Sequence, residues 1–179
     1  MVDGKSTLTP FHRAYLSLGS NVDAEANLRA AVAALRARFG GIALSDACVF
    51  PAVGFDGGDF LNAAAVIDSD LDPFALNDWL HALEDAHGRD RSGPRFGDRT
   101  LDIDIVFYDD LVLDGPGHLQ LPRDELKHAF VLMPLAEIAP GFVDPRSGKT
   151  LEALWRAHRE YGAVRGARAV GVVIARGKA

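Results

Sequence analysis

The apolar residues of this chain follow two different periods, and the order of these periods along the sequence constrains the fold most strongly. From Arg13 to Leu18 they alternate with the period of a strand that has one buried face. From Leu28 to Phe39 they recur at helical spacing, and Gly40 follows where a helix commonly ends. Ile42 to Val49 and Asn62 to Ile67 then have the composition of two further strands, joined by a loop rich in glycine.

A second helix and strand follow the first set. Asp72-Pro73 predicts a helix start, because a capping side chain precedes a proline at the first helical position, and Gly88 ends that helix. Leu101 to Tyr108 predicts the next strand. The order strand, helix, strand, strand, helix, strand predicts an α+β fold, a ferredoxin-like βαββαβ sandwich with an extra C-terminal hairpin and helices. The predicted extra elements are a turn at Asp109-Asp110 into 111–113, a helix at 130–138, a helix that opens at Thr150 and a strand at 170–174.

Length and composition limit the classes of protein to consider. With 179 residues, 48% of them hydrophobic, the chain is expected to form one catalytic domain over 12–179, preceded by a flexible tail over 1–11. It has no apolar run of about 20 residues and no secretory signal, so we expect no membrane association. A single cysteine, Cys48, cannot form an intramolecular disulfide and fits a reducing cytoplasm. The net charge of −6 argues against nucleic acid as a partner, and we expect a monomer.

Two acids alternate with apolar residues in the predicted strand from Leu101. Because strand side chains alternate between the two faces, Asp102 and Asp104 should share one face, with α-carbons about 6 to 7 Å apart. Carboxylates so placed can hold hard cations such as Mg²⁺, which prefer oxygen ligands and retain water and phosphate ligands. The alternative is that a strand with one solvated face simply carries two acids there.

An arginine-rich loop precedes this strand. Arg89, Arg91, Arg95 and Arg99 fall within eleven positions, and together with Gly88 this segment contains three glycines and a proline. Guanidinium groups bind phosphate oxygens in a bidentate fork, and carboxylate-held metal neutralises the remaining charge during phosphoryl transfer. A dense positive segment on an acidic chain suits a compact polyanion, so the pattern favours a magnesium-dependent enzyme that acts on a nucleoside triphosphate. The alternative is a solvated loop in which these arginines pair with nearby aspartates.

A phosphate-binding P-loop is a competing interpretation. Gly148-Lys149-Thr150 ends like such a motif and opens a predicted helix. The motif requires a first glycine at position 143, where this chain has Val143, and no buried strand precedes it. The spacing therefore argues against a P-loop.

Several longer blocks of sequence resemble one known family. They are A-Y-L-S-L-G-S-N at 14–21, D-F-L-N-A-A at 59–64, L-E-D-A-H-G-R-D-R at 83–91, R-T-L-D-I-D-I-V at 99–106 and F-V-L-M-P-L-A-E-I-A-P at 130–140. In these blocks and in their order the chain resembles the 6-hydroxymethyl-7,8-dihydropterin pyrophosphokinases of folate biosynthesis. The resemblance covers most of the chain, and the R-T-L-D-I-D block is its most specific part.

The resemblance implies a ferredoxin-like enzyme that transfers pyrophosphate from ATP to the hydroxymethyl group of a reduced pterin and releases AMP. Two Mg²⁺ ions would be held by Asp102 and Asp104, and Asp102 could also accept the hydroxyl proton. The implied catalytic residues are Arg89, Arg91, Arg99, Asp102 and Asp104; those implied for ATP are Glu84, Arg89, Arg91, Arg99 and Arg123; those implied for the pterin are Phe60, Asn62 and Phe130.

Each of the additional positions also has a structural interpretation. Phe60 and Phe130 could be core residues, Asn62 could satisfy backbone groups at the start of its strand, and Glu84 could be a surface charge on its helix. The contacts in the cleft can distinguish these interpretations.

Some positions depart from the family pattern. His81 stands where the family commonly has glutamine, and the segment from Pro122 to Phe130 is one residue short, with Arg123 in place of a histidine and His128 in place of an arginine. The loop at 50–58 also differs. These departures leave open a related enzyme with a different acceptor. From another class, a ferredoxin-like module could bind a ligand without chemistry, but it would have no need for paired aspartates beside four arginines.

Overall fold

A five-stranded antiparallel sheet forms the centre of the molecule. The computed structural model describes residues 10–89, 91–92, 97–116 and 119–164. The strands are β1 (His12–Ser20), β2 (Ala43–Leu44), β3 (Cys48–Phe50), β4 (Phe60–Ser69), β5 (Asp102–Tyr108), β6 (Leu113–Asp114) and β7 (Gln120–Leu121). The helices are α1 (Ala24–Phe39), α2 (Pro73–Ala86), a 3-10 turn (Asp124–Lys127), α3 (Ala129–Ile138), α4 (Leu151–Arg156) and α5 (Tyr161–Val164).

The sheet has the strand order β2-β4-β1-β5, and β3 pairs with the same strand β4 further along. Each of these pairs is antiparallel. With β2 and β3 together in the place of one strand, the connectivity is that of a ferredoxin-like fold, as the sequence predicted.

The register between β1 and β5 decides which face each side chain occupies. Leu16 lies opposite Ile105 and Leu18 opposite Ile103, and these residues share the core under α1 and α2. The register shifts between Tyr15 and Leu16, which keeps Tyr15 paired with Phe107 on the other face. The sheet therefore has an apolar core on each side, with α3 and α4 on the second face.

Helix boundaries follow the capping signals. Ala75 donates to Asp72 Oδ1 at 2.8 Å with a proline in the first turn of α2, and Ala153 donates to Thr150 Oγ1 at 3.2 Å at the start of α4. α3 contains Pro134, as predicted. None of the helices in the described part of the chain is long and apolar enough to span a membrane.

The single strand predicted for Ile42 to Val49 is wrong. The chain forms β2 and β3 instead, and Ser45 interrupts the ladder between them. The Ser45 N–H donates to the carbonyl of Ala64 at 2.9 Å, while the N–H of Ala64 donates to the Ser45 hydroxyl at 2.8 Å. Because the hydroxyl takes the place of a backbone acceptor, residues between the two strands can leave the sheet without leaving Ala64 unpaired.

The turn predicted at Asp109-Asp110 is confirmed, because the N–H of Leu111 donates to the carbonyl of Tyr108 at 3.1 Å, but 111–113 does not pair with β5 in the described part of the chain. Asp109 adopts a positive φ of 46°, and its N–H and carboxylate bond back to Arg13 at the start of β1. Leu113 instead pairs with Leu121, so the extra hairpin consists of β6 and β7. The strand predicted at 170–174 and most of the predicted tail at 1–11 lie outside the described residues.

The segment that resembled the end of a P-loop forms a structural turn. Val143 and Thr150 form an isolated bridge, and the N–H of Gly148 donates to the carbonyl of Asp144 at 2.8 Å. The Asp144 carboxylate accepts the N–H groups of Arg146 and Ser147. Side-chain and backbone groups of Asp144 thus close this turn, as in other Asx turns.

Candidate active site

A cleft of about 570 Å³ lies over the sheet face that is turned away from α1 and α2. Its floor contains Ser17, Gly19, Asn62, Asp102 and Asp104. Its walls are formed by the 51–59 loop with Phe60, the C-terminal half of α2, the 97–99 segment and the 123–131 segment. Strand alternation therefore brings both predicted aspartates into one cleft with residues from distant parts of the chain.

The two aspartates face this cleft as predicted. Leu101, Ile103 and Ile105 are buried in the core on the opposite face, while the Asp102 and Asp104 side chains are 35% and 27% exposed. Their neighbours in β1 are Gly19 and Ser17, which are small. A Cβ at Gly19 would lie 2.9 Å from Asn62 Oδ1, so glycine keeps this part of the floor open.

Each aspartate is paired with a guanidinium group. Arg89 Nη1 donates to Asp102 Oδ1, and Arg123 Nη2 lies 3.1 Å from Asp104 Oδ1. The side chains of Arg89 and Arg123 are 16% and 24% exposed, so the interpretation of Arg89 as a solvated loop residue is wrong. Arg123 Nε is buried and lies 3.3 Å from Glu125 Oε2, although without hydrogen-bond geometry. The cleft is thus charged on both sides before any ligand is considered.

Glu84 lies beneath the arginines, and its interpretation as a surface charge of the helix is wrong. Its side chain is 2% exposed. Oε1 accepts the N–H of Ile103 at 2.7 Å, and Oε2 accepts a hydrogen bond from Arg91 at 2.9 Å, while Arg89 Nη1 lies 3.3 Å from Oε1. Because β5 is an edge strand, Glu84 satisfies a backbone donor that lacks a partner strand.

The other arginines of the loop differ in position. Arg99 lines the cleft, whereas Arg91 is absent from the described lining and pairs with Glu84 and Asp85 at the end of α2. Arg95 lies outside the described residues. The phosphate contact predicted for Arg91 therefore stays a prediction.

The residues predicted to bind the pterin line the same cleft. Phe60 and Phe130 both line it and are only half-buried, so neither is solely a core residue. Phe55 packs edge-on against Phe60, and the His128 ring stacks on Phe130 at a centroid distance of 5.0 Å. Burial, with the positive charge of Lys127, lowers the pKa of His128. One wall of the cleft is therefore aromatic and mostly uncharged.

Asn62 lies at the floor beside this aromatic wall. It is 5% exposed, and its side chain makes no hydrogen bond within the part of the chain that the structure describes. The interpretation of Asn62 as a group that satisfies backbone atoms is therefore wrong for the described residues. Because Asn62 lines the cleft and its amide has no partner among the described residues, the amide is open to a polar ligand.

Sequence reasoning missed several residues of the cleft. Phe55 and Lys127 line it, and Asn21 contacts two of its loops, while His128 was named only as a departure from the family pattern. The turn Gly19-Ser20-Asn21 was visible in the sequence, but only its spatial neighbours show what Asn21 contacts.

The carboxylate pair fits Mg²⁺ with ligands from elsewhere. No group of three or more metal-binding side chains occurs among the residues described. Mg²⁺ usually takes one or two carboxylates together with water and substrate phosphates. Asp102 and Asp104, open to a cleft with three arginines, supply that donor set.

Burial and the charge of Asp102 raise the pKa of Asp104 to about 8, although Arg123 opposes the shift. The unfolded chain titrates near 4, so the folded form binds the proton more tightly. Its contribution to stability is complete below about pH 4 and is lost as the pH rises through about 8. We expect the stability difference between Asp104→Asn and the unsubstituted chain to grow in favour of asparagine over this interval without metal. Urea unfolding at several pH values measures it, and a difference independent of pH would contradict the assignment.

Known proteins match this chain over much of its length. Residues 15–140 match the model of the family described as 7,8-dihydro-6-hydroxymethylpterin-pyrophosphokinase. A 2-amino-4-hydroxy-6-hydroxymethyldihydropteridine pyrophosphokinase of Methylorubrum extorquens is 43% identical over 136 residues, which cover 73% of this chain and 85% of the relative. The Haemophilus influenzae enzyme of that name is 34% identical over 139 residues, covering 75% and 86%.

Other matches are partial. A Synechocystis enzyme of that name is 44% identical over 94 residues, which cover 52% of this chain and 47% of the relative. Among solved structures, wild-type Plasmodium falciparum HPPK-DHPS superposes with a TM-score of 0.66 at 12% identity, over 91% of this chain and 47% of the other. This chain thus spans about half the length of these two proteins, and the structural match concerns the fold alone. From the family match and the well-covered relatives, the chain belongs to the 7,8-dihydro-6-hydroxymethylpterin-pyrophosphokinase family.

Proposed function

We propose that this chain transfers the pyrophosphoryl group of ATP to the hydroxymethyl group of 6-hydroxymethyl-7,8-dihydropterin, releases AMP and thereby serves folate biosynthesis. One observation carries the proposal. A carboxylate pair with three arginines lies in the same cleft as a half-buried aromatic pair and the amide of Asn62, which has no hydrogen-bond partner among the described residues. One half of this cleft suits a polyphosphate, and the other suits a flat polar ring.

The phosphate half rests on charge and burial. Arg89 and Arg123 are largely buried beside Asp102 and Asp104, and Arg99 lines the same wall. Guanidinium groups in a partly dehydrated site interact with phosphate more strongly than exposed ones. In this proposal these three arginines bind the triphosphate, and Glu84 holds Arg89 in place from below.

The ring half rests on Phe60, Phe130 and Asn62. Two aromatic side chains can stack on a planar ring, and a buried amide offers both donors and an acceptor to its polar edge. In this proposal Asn62 forms hydrogen bonds with the polar edge of the pterin, and Phe55 extends the aromatic wall behind Phe60.

The reaction joins the acceptor oxygen to the β-phosphorus of ATP. The bond between that phosphorus and the oxygen shared with the α-phosphate breaks, and AMP leaves with this oxygen. Two Mg²⁺ ions at Asp102 and Asp104 would neutralise charge on the transferring group when bound. The arginines stabilise the same charge and align the two substrates, and Asp102 can accept the proton of the hydroxyl group.

A second candidate is a related transferase with another hydroxyl acceptor. Pro51, Val53 and Phe55 of the altered loop line the acceptor side, as do Lys127 and His128 of the shortened segment. Because in this proposal these residues line the acceptor side, a change in them should affect the choice of acceptor more than the binding of the nucleotide.

The deciding experiment measures nucleotide products with ATP and Mg²⁺, with and without 6-hydroxymethyl-7,8-dihydropterin. We expect AMP, resolved from ADP by chromatography, only when both the pterin and Mg²⁺ are present. Binding of magnesium-ATP by calorimetry without pterin-dependent AMP would contradict the proposed acceptor and favour the second candidate. ADP as the product would contradict pyrophosphoryl transfer. The cytoplasmic location and the monomeric state stay predictions from the sequence.

A further inference from the structure

Asn21 lies between the two loops that frame the cleft. It follows the last residue of β1, Ser20, and is half-buried. One of the two loops, 51–59, carries Phe55 against Phe60, and the other contains Asp98 and Arg99. The side chain of Asn21 contacts both loops.

On the phosphate side, Asn21 holds the backbone of Arg99. Asn21 Oδ1 accepts the N–H of Arg99 at 2.7 Å, and the N–H of Asn21 donates to the carbonyl of Arg99 at 3.0 Å. Asn21 Nδ2 also donates to Asp98 Oδ1 at 2.7 Å. These bonds fix the residue that presents its guanidinium to the cleft.

On the aromatic side, Asn21 holds the end of the 51–59 loop. Its Nδ2 donates to the carbonyl of Gly58 at 3.2 Å. Next to this bond, a Cβ at Gly57 would lie 2.2 Å from the Phe55 ring and 3.1 Å from Asp98 Oδ1. The backbone under Phe55 is therefore in close contact with the loop that carries Arg99.

We propose that Asn21 is a positioning residue that couples the two halves of the cleft. Through its amide, the placement of Arg99 by a triphosphate also orders the loop that holds Phe55 beside the pterin site. Each substrate then binds more tightly when the other is present, because part of the entropy cost of ordering both loops is met by the first ligand. This inference rests on the proposed function.

Other hydrogen bonds hold the turn that follows β1. The Ser20 hydroxyl lies within hydrogen-bond distance of the carbonyls of Val22, Arg99 and Thr100, and Ser20 is fully buried. The backbone bond from Asn21 to the Arg99 carbonyl also survives any substitution of the Asn21 side chain. Removing the amide should therefore release the 51–59 loop from the Arg99 loop without unfolding the chain.

The test measures reduced-pterin affinity by calorimetry, with and without magnesium α,β-methylene-ATP, whose α–β linkage is not cleaved. For the unsubstituted chain we expect the nucleotide to increase pterin affinity about tenfold, within the usual range of coupling between sites. For Asn21→Ala we expect this factor to fall below about twofold, with the affinity for the nucleotide alone changed less than about threefold. Asn21→Asp keeps an acceptor for Arg99 N–H but loses the donor to Gly58 and to Asp98 and places two carboxylates side by side, so it should also lose the coupling.

Asn27→Ala is the matched control. Its amide donates to the carbonyl of Val22 at 2.7 Å within the same turn region, and it contacts neither loop. This variant should keep the coupling factor, and thermal unfolding monitored by circular dichroism checks that all variants are folded. If Asn21→Ala does not fold, Asn21→Asp carries the test.

Three results would overturn the inference. They are an unchanged coupling factor in the Asn21 variants, an equal loss in Asn27→Ala, and tight binding of both ligands to the unsubstituted chain without coupling. These results leave the proposed function intact. If the unsubstituted chain binds the nucleotide but no reduced pterin, the proposed acceptor fails first, and the coupling inference fails with it.

Discussion

Asp104→Ala is expected to lower the rate of AMP formation by about a thousandfold or more while the chain stays folded. In the proposed function the carboxylate holds a cation that neutralises the transferring group, and the described residues contain no group of three or more metal-binding side chains that could compensate for its loss. Its pair with Arg123 would also be lost, which leaves that guanidinium without its partner at 3.1 Å. Asp102→Ala should have a similar effect, because Asp102 shares the face and pairs with Arg89.

Retention of the fold follows from the electrostatics of the site. Burial and Asp102 raise the pKa of Asp104, so its charged form opposes folding above neutral pH in the absence of metal. Removing it should leave the melting temperature unchanged or higher at pH 8. Asp110→Ala, an exposed aspartate just after β5, is the control and should keep full activity. Magnesium-dependent AMP formation at an unreduced rate in Asp104→Ala would contradict the assignment of the metal ligands.

Glu84→Ala is expected to lower the free energy of unfolding by about 3 kcal/mol, the cost typical of removing one partner of a buried charged network. The substitution leaves the N–H of Ile103 without its acceptor at 2.7 Å and removes the carboxylate between Arg89 and Arg91. It should also lower activity, because Arg89 loses its support from below. Urea unfolding curves measure the first effect, and AMP formation measures the second.

Two further variants separate the contribution of the Glu84 charge from those of its hydrogen bond to Ile103 and of the exposed Arg91 pair. Glu84→Gln keeps an acceptor for Ile103 but removes the charge, and because burial already raises the pKa of Glu84, we expect a smaller loss of stability than with alanine. Asp85→Ala removes an exposed partner of Arg91 and should cost less than about 1 kcal/mol, as is usual for surface ion pairs. Equal stability of Glu84→Ala and Asp85→Ala would contradict the buried role of Glu84.

Elements with a strong local pattern were predictable from the sequence. β1, α1, α2 and β5 follow from apolar periods and capping residues, since these depend on neighbours within a few positions. The ferredoxin-like order followed from their succession. The break at Ser45 was not predictable, because it depends on a hydroxyl that bonds across the sheet to Ala64. The β6–β7 pairing, which places Leu113 opposite Leu121, was not predictable from a local pattern either.

The sequence by itself determined that Asp102 and Asp104 share a face and that arginines precede them, because strand alternation is a local property. It also indicated the family. Only the tertiary structure showed that Glu84 is buried under Arg89, that Arg123 reaches Asp104 and that Asn21 joins two loops. These contacts join residues far apart in the sequence, or, for Glu84, depend on where the helix packs on the sheet. Local sequence patterns carry no information on long-range contacts or on where a helix packs. The packing of distant segments decides which polar groups lose water and must find partners.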